Sequence, residues 1–465
     1  MLSGKKILIV GSGPSSFAFL KAVTEKQKCE IDLIDSSSIT LLENEECVFK
    51  NQFLGSRMPV NKRQLDKDPL ISEHFGGFST FWGGTFDDPA KEIIDKYYDL
   101  DIDLKTYLKK IDEIVPQIKR IENIRNNNLK SSVIKTKTVN KFINQGFTIK
   151  DSIIAVSEQT LDAKKQDKKK CNYCKGYEWT CKPDTIWNSK LFIKQLIDQS
   201  QINYSKDSTL LSFEEVDNKV VCKLEFGNNI VEKKYDKLIV ACGPAGTSKI
   251  FLNSKLFDEV IVNSSDLIQI PFIKFFKNYK KQDSFADLFS YIQLIKNKIY
   301  SQIYFFSNQV LLLSSNTISF SRLLKFVPNI FLSVSGGIFI YLDTKISSKV
   351  KYSIEDERVV VSKIDGNLEQ KNLIIKTLKR KLFKTKVILL HFLKKEYLYG
   401  TSYHLGSQFP ISSSPYKFSS DTLGRVGKCE NVHIVDASVL PEVNIGPVTK
   451  LIMANSFRIG IELNK

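Results

Sequence analysis

The sequence lacks any long hydrophobic run. No uninterrupted apolar stretch reaches the ~18 residues that a transmembrane helix needs, and the longest candidates, within 310–342, are broken by Ser, Asn, Arg, Lys and Pro. The first apolar strand begins almost at Met1, which leaves no room for a signal peptide. We therefore expect a cytoplasmic protein, at most peripheral at the inner face of a membrane, whose eight scattered cysteines are reduced thiols.

Arginine is also scarce, because only nine of the 68 basic residues are Arg and the net charge of +17 comes mainly from lysine. A solvated lysine-rich surface, an anionic substrate or a membrane surface would each explain this charge. No nucleic-acid motif accompanies it, so a nucleic-acid partner is not expected. The densest basic run, 371–395, has apolar residues at helical spacing. It predicts a basic amphipathic helix and a peripheral membrane contact.

The chain begins with a predicted strand that is followed by a glycine turn. The apolar run Ile7 to Val10 leads into Gly11-Ser-Gly-Pro-Ser-Ser, and a helix is predicted from about Pro14. A second strand, 31–34, ends in Asp35, about 20 residues after Gly13, where a dinucleotide-binding unit carries its ribose-binding acid. Strand, turn, helix and acid together predict a βαβ unit that binds a dinucleotide pyrophosphate at the start of the helix.

Three further segments have backbone suited to close contact with a ligand. Four glycines and several aromatic residues alternate within 74–86, which fits neither a helix nor a central strand. A buried strand runs into Gly243 at 238–246, and another buried strand and turn occupy 432–441, before a closing helix at 447–463. Between them, 261–395 has strand-like stretches, which we interpret as an inserted domain with an antiparallel sheet.

Four segments together resemble the glucose–methanol–choline (GMC) oxidoreductase family of flavoproteins. They are Gly11-Ser-Gly-Pro-Ser-Ser, Gly76-Gly-Phe-Ser-Thr-Phe-Trp-Gly-Gly84, Leu238-Ile-Val-Ala-Cys-Gly-Pro-Ala-Gly246, and Tyr403-His-Leu-Gly-Ser running on to Val435-Asp-Ala-Ser-Val-Leu-Pro441. They stand in the family's order and cover the nucleotide half of the chain. The Trp-Gly-Gly is similar to a bacterial subgroup associated with polysaccharide synthesis.

The resemblance implies an α/β fold, with a Rossmann-like FAD-binding domain and an inserted α+β substrate domain built on an antiparallel sheet. The FAD-binding domain would comprise 1–90, 171–260 and 396–465, the substrate domain 261–395, and 91–170 a helical and irregular excursion. The residues implied for FAD are Gly11, Ser12, Gly13, Pro14, Ser15, Asp35, Gly77, Ser79, Thr80, Gly83, Gly84, Ala241, Gly243, Asp436, Ala437, Pro447, Val448 and Thr449.

The resemblance also implies oxidation of an alcohol, in which a base removes the hydroxyl proton while the carbon gives hydride to the flavin. Of the four histidines, His404 lies in the matching motif and is the predicted base. The family's second His or Asn would fall at Gly446-Pro447, where neither side chain can transfer a proton. Asn444 is the nearby candidate for that role.

A cysteine-rich segment offers a second prediction. Cys171, Cys174 and Cys181 are followed by Pro183 and resemble a ferredoxin-type run that has Tyr177 in place of the third cysteine. Three thiolates could hold a three-iron cluster, or zinc with a distant fourth ligand. A structural remnant without metal is the alternative.

We therefore expect an FAD-dependent enzyme that oxidises a hydroxyl of a sugar or glycan precursor, with His404 as base and an unknown electron acceptor. Its substrate would be a small-molecule or glycan-linked alcohol. One alternative is a flavin-binding protein with reduced catalytic activity, acting in a membrane-associated glycan assembly system. The other is an NAD-dependent dehydrogenase, because the glycine turns and the ribose acid alone do not distinguish FAD from NAD.

Overall fold

The computed structural model describes residues 2–25, 29–37, 72, 74–80, 82, 84–119, 141–151, 153–156, 186–274, 290–296, 299–307, 335–396, 404–443 and 445–465. The helices in these ranges are α1 (Pro14–Thr24), α2 (Lys91–Tyr98), α3 (Leu104–Ile114), α4 (Lys190–Asp198), α5 (Gly243–Asn253), α6 (Leu368–Lys384) and α7 (Thr449–Asn464). None of the helices in these ranges is long and apolar enough to cross a membrane.

The strands in the described ranges number 21. They are β1 (Lys6–Val10), β2 (Glu30–Ile34), β3 (Ile118–Lys119), β4 (Thr148–Asp151), β5 (Ile153–Ile154), β6 (Asn203–Ser205), β7 (Ser208–Val216), β8 (Lys219–Phe226), β9 (Asn229–Tyr235), β10 (Lys237–Val240), β11 (Glu259–Ser264), β12 (Leu267–Lys274), β13 (Ser290–Lys296), β14 (Ile299–Ser307), β15 (Ser335–Leu342), β16 (Lys349–Glu355), β17 (Arg358–Ile364), β18 (Val387–Leu389), β19 (Lys395–Glu396), β20 (Leu405–Gly406) and β21 (Val432–Ile434).

A parallel sheet of order β21-β10-β1-β2-β6 forms the centre of the nucleotide half. The central strands β1 and β10 are short apolar runs because both faces of the sheet are covered. Ile7 and Ile9 of β1 pack with α1, α3 and α7 on one face, and Leu8 and Val10 pack with α5 and the antiparallel β7-β8-β9 sheet on the other. Helices α1 and α7 approach closely at Gly460, where a Cβ would lie 2.8 Å from that of Ala22.

The other sheets in the described ranges are antiparallel. A four-stranded sheet has the order β17-β16-β11-β20, and a seven-stranded sheet has the order β18-β12-β15-β14-β13-β4 with β19 paired to β12. One face of the larger sheet packs on α6 through a third apolar core. The predicted α/β fold class, a Rossmann-like parallel sheet with a region built on an antiparallel sheet, is confirmed. The domain boundaries remain a prediction; β4, from the 91–170 segment, pairs with β13.

The predicted basic helix is shorter than its sequence pattern indicates. Helix α6 ends at Lys384, and the left-handed residue Lys386 (φ +66°) redirects the chain into β18, which pairs with β12. Apolar residues at 387–389 fit the helical spacing, but they are buried as a strand because β12 offers an edge to pair with. This change places Lys379 of α6 beside the turn at 391–393.

Candidate active site

The predicted cofactor residues of the nucleotide half gather where parallel strands end. Gly11 follows β1, Asp35 follows β2, Ala241 follows β10, and Asp436 follows β21 after one further residue. Ligands of open α/β sheets bind at this carboxyl edge. Gly11 (φ +99°) lets the turn approach the neighbouring strand, because a Cβ there would lie only 2.6 Å from the Ala241 carbonyl oxygen.

The start of α1 is open. Gly13 is the N-cap, its cap is not closed by a side chain, and a Cβ on Gly13 would meet no atom within 4 Å. Gly77 of the glycine-rich loop approaches Gly13 closely, because a Cβ added at Gly77 would lie 3.3 Å from the Cα of Gly13. Unsatisfied amides and the helix dipole make such an end favourable for a phosphate.

A serine links the glycine-rich loop to the predicted ribose acid. The amide of Gly76 donates to the Ser12 hydroxyl (2.8 Å), which in turn donates to the carboxylate of Asp35. The amide of Ser37 donates to the other carboxylate oxygen at 2.8 Å. Burial raises the pKa of Asp35, and these hydrogen bonds oppose the shift. The acid is therefore fixed in place at the end of β2.

Sequence reasoning missed Ser189, which joins three loops of the site. Its hydroxyl donates to the Ser12 carbonyl oxygen (2.9 Å), and its amide donates to the hydroxyl of Ser79 (3.1 Å). Ser79 donates to the Gly76 carbonyl oxygen at 2.6 Å, within the short helical turn that also contains Thr80. Ser189 is fully buried. No local pattern marks it, because its partners are far away in the sequence.

The end of the glycine-rich loop is fixed by backbone and aromatic contacts. The Ala155 amide donates to the Gly84 carbonyl oxygen at 2.8 Å. The Trp82 indole donates to the Trp187 carbonyl oxygen at 2.8 Å, and the two rings meet edge to face. Aromatic residues in this loop therefore stabilise its conformation.

Asp436 is held by groups that the sequence did not link to it. The Thr247 hydroxyl donates to one carboxylate oxygen (2.6 Å) and the Ser438 amide to the other (2.8 Å). Burial raises the pKa of Asp436, and both bonds oppose that shift. Ala437 follows directly, and its carbonyl oxygen accepts from the Ser407 amide at 2.9 Å. This hydrogen bond joins the loop that carries Asp436 to the segment that carries His404.

His404 lies just before β20, the edge strand of the four-stranded sheet. Gly406 lets the His404 segment approach Ala437 closely, since a Cβ on Gly406 would lie 2.4 Å from the Ala437 carbonyl oxygen. The Nδ1 of His404 is 3.1 Å from the carbonyl oxygen of Ile445. A carbonyl only accepts, so Nδ1 carries the proton and Nε2 is the basic nitrogen of the neutral ring. Desolvation lowers the pKa of His404 to about 4, although the bond to Ile445 opposes this.

A tyrosine stacks on this imidazole. The Tyr341 ring lies 4.7 Å from the His404 ring at an interplanar angle of 27°. In the β14–β15 register, Tyr341 pairs with Gln302, and Phe339 pairs with Tyr304. These four side chains therefore lie on one face of the sheet, opposite the core face that contains Ile303 and Ile340.

This polar and aromatic face is turned toward the nucleotide half at two points. Tyr341 contacts His404, and the Tyr300 hydroxyl donates to Glu92 of α2 at 3.0 Å. On the same face, the Gln302 amide donates to the Tyr304 hydroxyl at 2.5 Å, and both side chains are buried. Sequence reasoning missed these residues, because strand register decides which of them meet His404.

The other histidines have different surroundings. His433 is buried within β21, its Nδ1 donates to the Leu423 carbonyl oxygen (3.0 Å), and burial lowers its pKa to about 3. His391 is exposed at the end of β18. His74 begins the glycine-rich loop, and its carbonyl oxygen accepts from the Gly77 amide.

The last group of predicted residues lies at the start of α7. Val448 is its N-cap, with no side chain closing the cap, and Thr449 is its first residue. Pro447 precedes them. Helix α7 packs on α1, and the Ser456 hydroxyl donates to the Ser15 carbonyl oxygen at 2.7 Å. The uncapped start of α7 therefore belongs to the same packed pair of helices as the uncapped start of α1.

Several predicted site residues lie outside the described ranges: Gly83, Asn444, Cys171, Cys174 and Cys181. Their roles remain predictions. Within the ranges that are described, no group of three or more His, Cys, Asp or Glu could hold a metal ion. The iron–sulfur or zinc prediction therefore has no support from this part of the chain.

Comparison with known proteins supports the architecture. The protein has an α/β fold in which a parallel sheet, of the type found in nucleotide-binding folds, is combined with antiparallel sheets. It is similar to the crystal structure of pyridoxine 4-oxidase from Mesorbium loti, with a TM-score of 0.64, 10% sequence identity, and coverage of 99% of each chain. No protein-family model and no curated protein sequence matches the chain. At this identity the likeness shows a shared fold.

Proposed function

We propose that the chain is an FAD-dependent oxidoreductase of the GMC type that oxidises a hydroxyl group of a sugar or glycan precursor. The observation that carries this proposal is His404, a neutral imidazole fixed through Nδ1 beside the carboxyl edge of the parallel sheet. The fold shared with a protein named as a pyridoxine oxidase supports the reaction class. The sugar substrate and the polysaccharide context rest on the sequence resemblance, and no electron acceptor is assigned.

The residues at the carboxyl edge fit FAD. The open N-terminus of α1 at Gly13 suits the pyrophosphate, and Asp35 is fixed where a ribose acid belongs. The uncapped start of α7, at Val448 and Thr449, would supply backbone amides to hold the flavin. When bound, FAD would supply the two-electron chemistry by accepting hydride from the carbinol carbon.

His404 is proposed to accept the hydroxyl proton at Nε2. As the carbon loses hydride and the oxygen loses its proton, the alcohol becomes a carbonyl compound. A pKa of about 4 keeps the ring neutral, and so able to act as a base, across the physiological range. Because Nδ1 is bound to the Ile445 carbonyl oxygen, the tautomer and ring orientation are fixed before substrate arrives.

The face next to His404 favours an uncharged alcohol. Tyr341, which is only partly buried, offers a hydroxyl and an aromatic ring next to His404, and the buried Gln302 and Tyr304 on the same face are polar side chains without formal charge. Such a combination suits a ring with several hydroxyl groups and apolar C–H surface. An ionised group at this position would find no countercharge among these three side chains.

The first test is an anaerobic absorption spectrum, followed by titration with hexoses, sugar phosphates and pyridoxine. We expect bands near ~370 and ~450 nm, FAD in the supernatant after acid treatment, and bleaching by at least one alcohol. A colourless protein that takes up no FAD would contradict the flavoprotein assignment. FAD that no alcohol bleaches would instead favour the alternative, a flavin-binding component with reduced catalysis, consistent with Gly446-Pro447 at the second position.

Tyr341→Ala should slow flavin reduction and shift its pH dependence. Loss of the stacked ring admits water to His404, so the pKa of His404 should rise toward its ordinary value near 6.5. A base is inactive when protonated, so the acid limb of the rate should move from near pH 4 to higher pH. Stopped-flow reduction at 450 nm across pH 4–8 measures this shift, and Tyr341→Phe, which keeps the ring, should leave the limb in place.

If both variants keep the wild-type acid limb, Tyr341 does not control the hydration of His404. A purely structural defect would lower the rate equally at every pH.

A further inference from the structure

Two phenylalanines are unusually exposed at one end of α6. Phe392 is 73% exposed and Phe383 is 65% exposed, more than any other large hydrophobic side chain in the described ranges. Single exposed apolar residues are common and need no explanation. Two exposed aromatic rings that share one surface do suggest an interaction site.

A specific contact brings the two rings to the same surface. Lys379 of α6 lies with its Nζ 3.3 Å from Nε2 of His391, which holds the turn at 391–393 against the helix. Phe383 is one helical turn beyond Lys379, and positions four apart share a helix face. Phe392 directly follows His391. Both rings therefore flank the same Lys–His contact.

Positive charge surrounds these rings. The segment 376–394 contains seven Lys or Arg residues and no Asp or Glu. Lys381 points inward and donates to the Gln145 carbonyl oxygen (2.6 Å), and Lys394 pairs with Glu396 (2.9 Å). The other five are exposed: Lys376, Lys379, Arg380, Lys384 and Lys386. We call these five with Phe383 and Phe392 the basic–aromatic patch.

We propose that the basic–aromatic patch docks the protein on the surface of an anionic phospholipid bilayer. Each cation near such a surface strengthens membrane binding about fivefold, because the negative headgroups attract it. Phenylalanine side chains add affinity by entering the boundary between headgroups and acyl chains. The patch provides both, on a folded surface that is already formed.

The contact is shallow, because α6 cannot insert. Its apolar residues Ile374, Leu378 and Leu382 are buried against the seven-stranded sheet, so the apolar side chains that the basic–aromatic patch itself exposes to lipid are Phe383 and Phe392. Four of the five cations are lysine, whereas arginine is the usual residue for recognising nucleic acid. These features favour a membrane over a nucleic acid as the partner.

The experiment is sedimentation of the full-length protein with sucrose-loaded vesicles. Vesicles of phosphatidylcholine alone are compared with vesicles containing about 30% phosphatidylglycerol, at low and physiological salt. We expect binding to the anionic vesicles only, weakened by salt. Phe383→Ser with Phe392→Ser should reduce binding on the order of tenfold or more, and Lys376→Gln with Lys384→Gln, which leaves the Lys379–His391 contact intact, should reduce it about 25-fold.

Matched controls lie on other surfaces. Lys233→Gln with Lys234→Gln removes the same charge from exposed positions of β9, and Tyr416→Ser removes an aromatic ring that is 61% exposed. Both should bind like the unaltered protein, and unfolding curves should be unchanged for all variants. The proposal is overturned if the phenylalanine pair has no effect, if the β9 pair weakens binding equally, or if a single-stranded oligonucleotide is bound more tightly than the vesicles through the same patch.

Discussion

Replacing His404 with alanine is expected to slow flavin reduction by about 10²- to 10⁴-fold, the usual contribution of a general base. The hydroxyl proton then has no acceptor at the position of Nε2, which the bond from Nδ1 to the Ile445 carbonyl oxygen orients in the native ring. FAD should remain bound at full occupancy, because the substitution leaves the phosphate turn and the loops that carry Asp35 and Asp436 unchanged. Anaerobic stopped-flow reduction at 450 nm with a substrate found in the titration measures the rate, and the 450 nm band measures flavin content.

His391→Ala is the matched control, since it removes an exposed imidazole and should reduce flavin at the wild-type rate. Added imidazole should restore part of the activity of His404→Ala and none to a variant that has lost FAD. Undiminished reduction by His404→Ala would show that another group takes the proton. Asn444→Ala, tested in parallel, would then reveal whether that predicted second residue acts in its place.

The nucleotide half was the part most accessible to sequence reasoning. The β1 turn, the start of α1 and Asp35 are close in sequence, so apolar periodicity and glycine spacing are enough to predict their arrangement. The carboxyl edges of the more distant strands follow from the same logic, because buried parallel strands are short apolar runs. Ser16, which replaces the third glycine, donates to the Gly11 carbonyl oxygen instead.

The surroundings of His404 were less accessible. Tyr341 meets it only because β14 and β15 pair in one register, and a shift of one residue would turn Ile340 toward the site. Ser189 joins the phosphate turn to the glycine-rich loop through partners more than a hundred residues away. Neither position carries a local signal. The end of α6 depended likewise on a tertiary partner, β12, that the helical pattern could not reveal.

Gly13→Asp is expected to lower FAD affinity by about 10²- to 10³-fold while leaving the fold intact. The backbone at Gly13 (φ −71°, ψ −176°) is extended, and an added side chain meets open space, so aspartate is tolerated without strain. Its carboxylate, however, would occupy the place proposed for the pyrophosphate. Two like charges about 4 Å apart repel by about 4 kcal/mol at an effective dielectric of 20, and salt screens part of this. Fluorescence titration of the FAD-free protein measures the affinity.

The same substitution should affect the FAD-free protein in the opposite direction. Aspartate is a better N-cap than glycine by a few tenths of a kcal/mol and also favours the positive end of α1, so the melting temperature of that form should stay level or rise slightly. Gly13→Asn gives nearly the same side-chain shape and cap without the charge, and should lose far less affinity. Equal losses for Asp and Asn would mean that bulk alone blocks the site. Unchanged affinity in both variants would mean that no phosphate binds at this helix, because a carboxylate in contact with a bound pyrophosphate cannot be neutral in its effect.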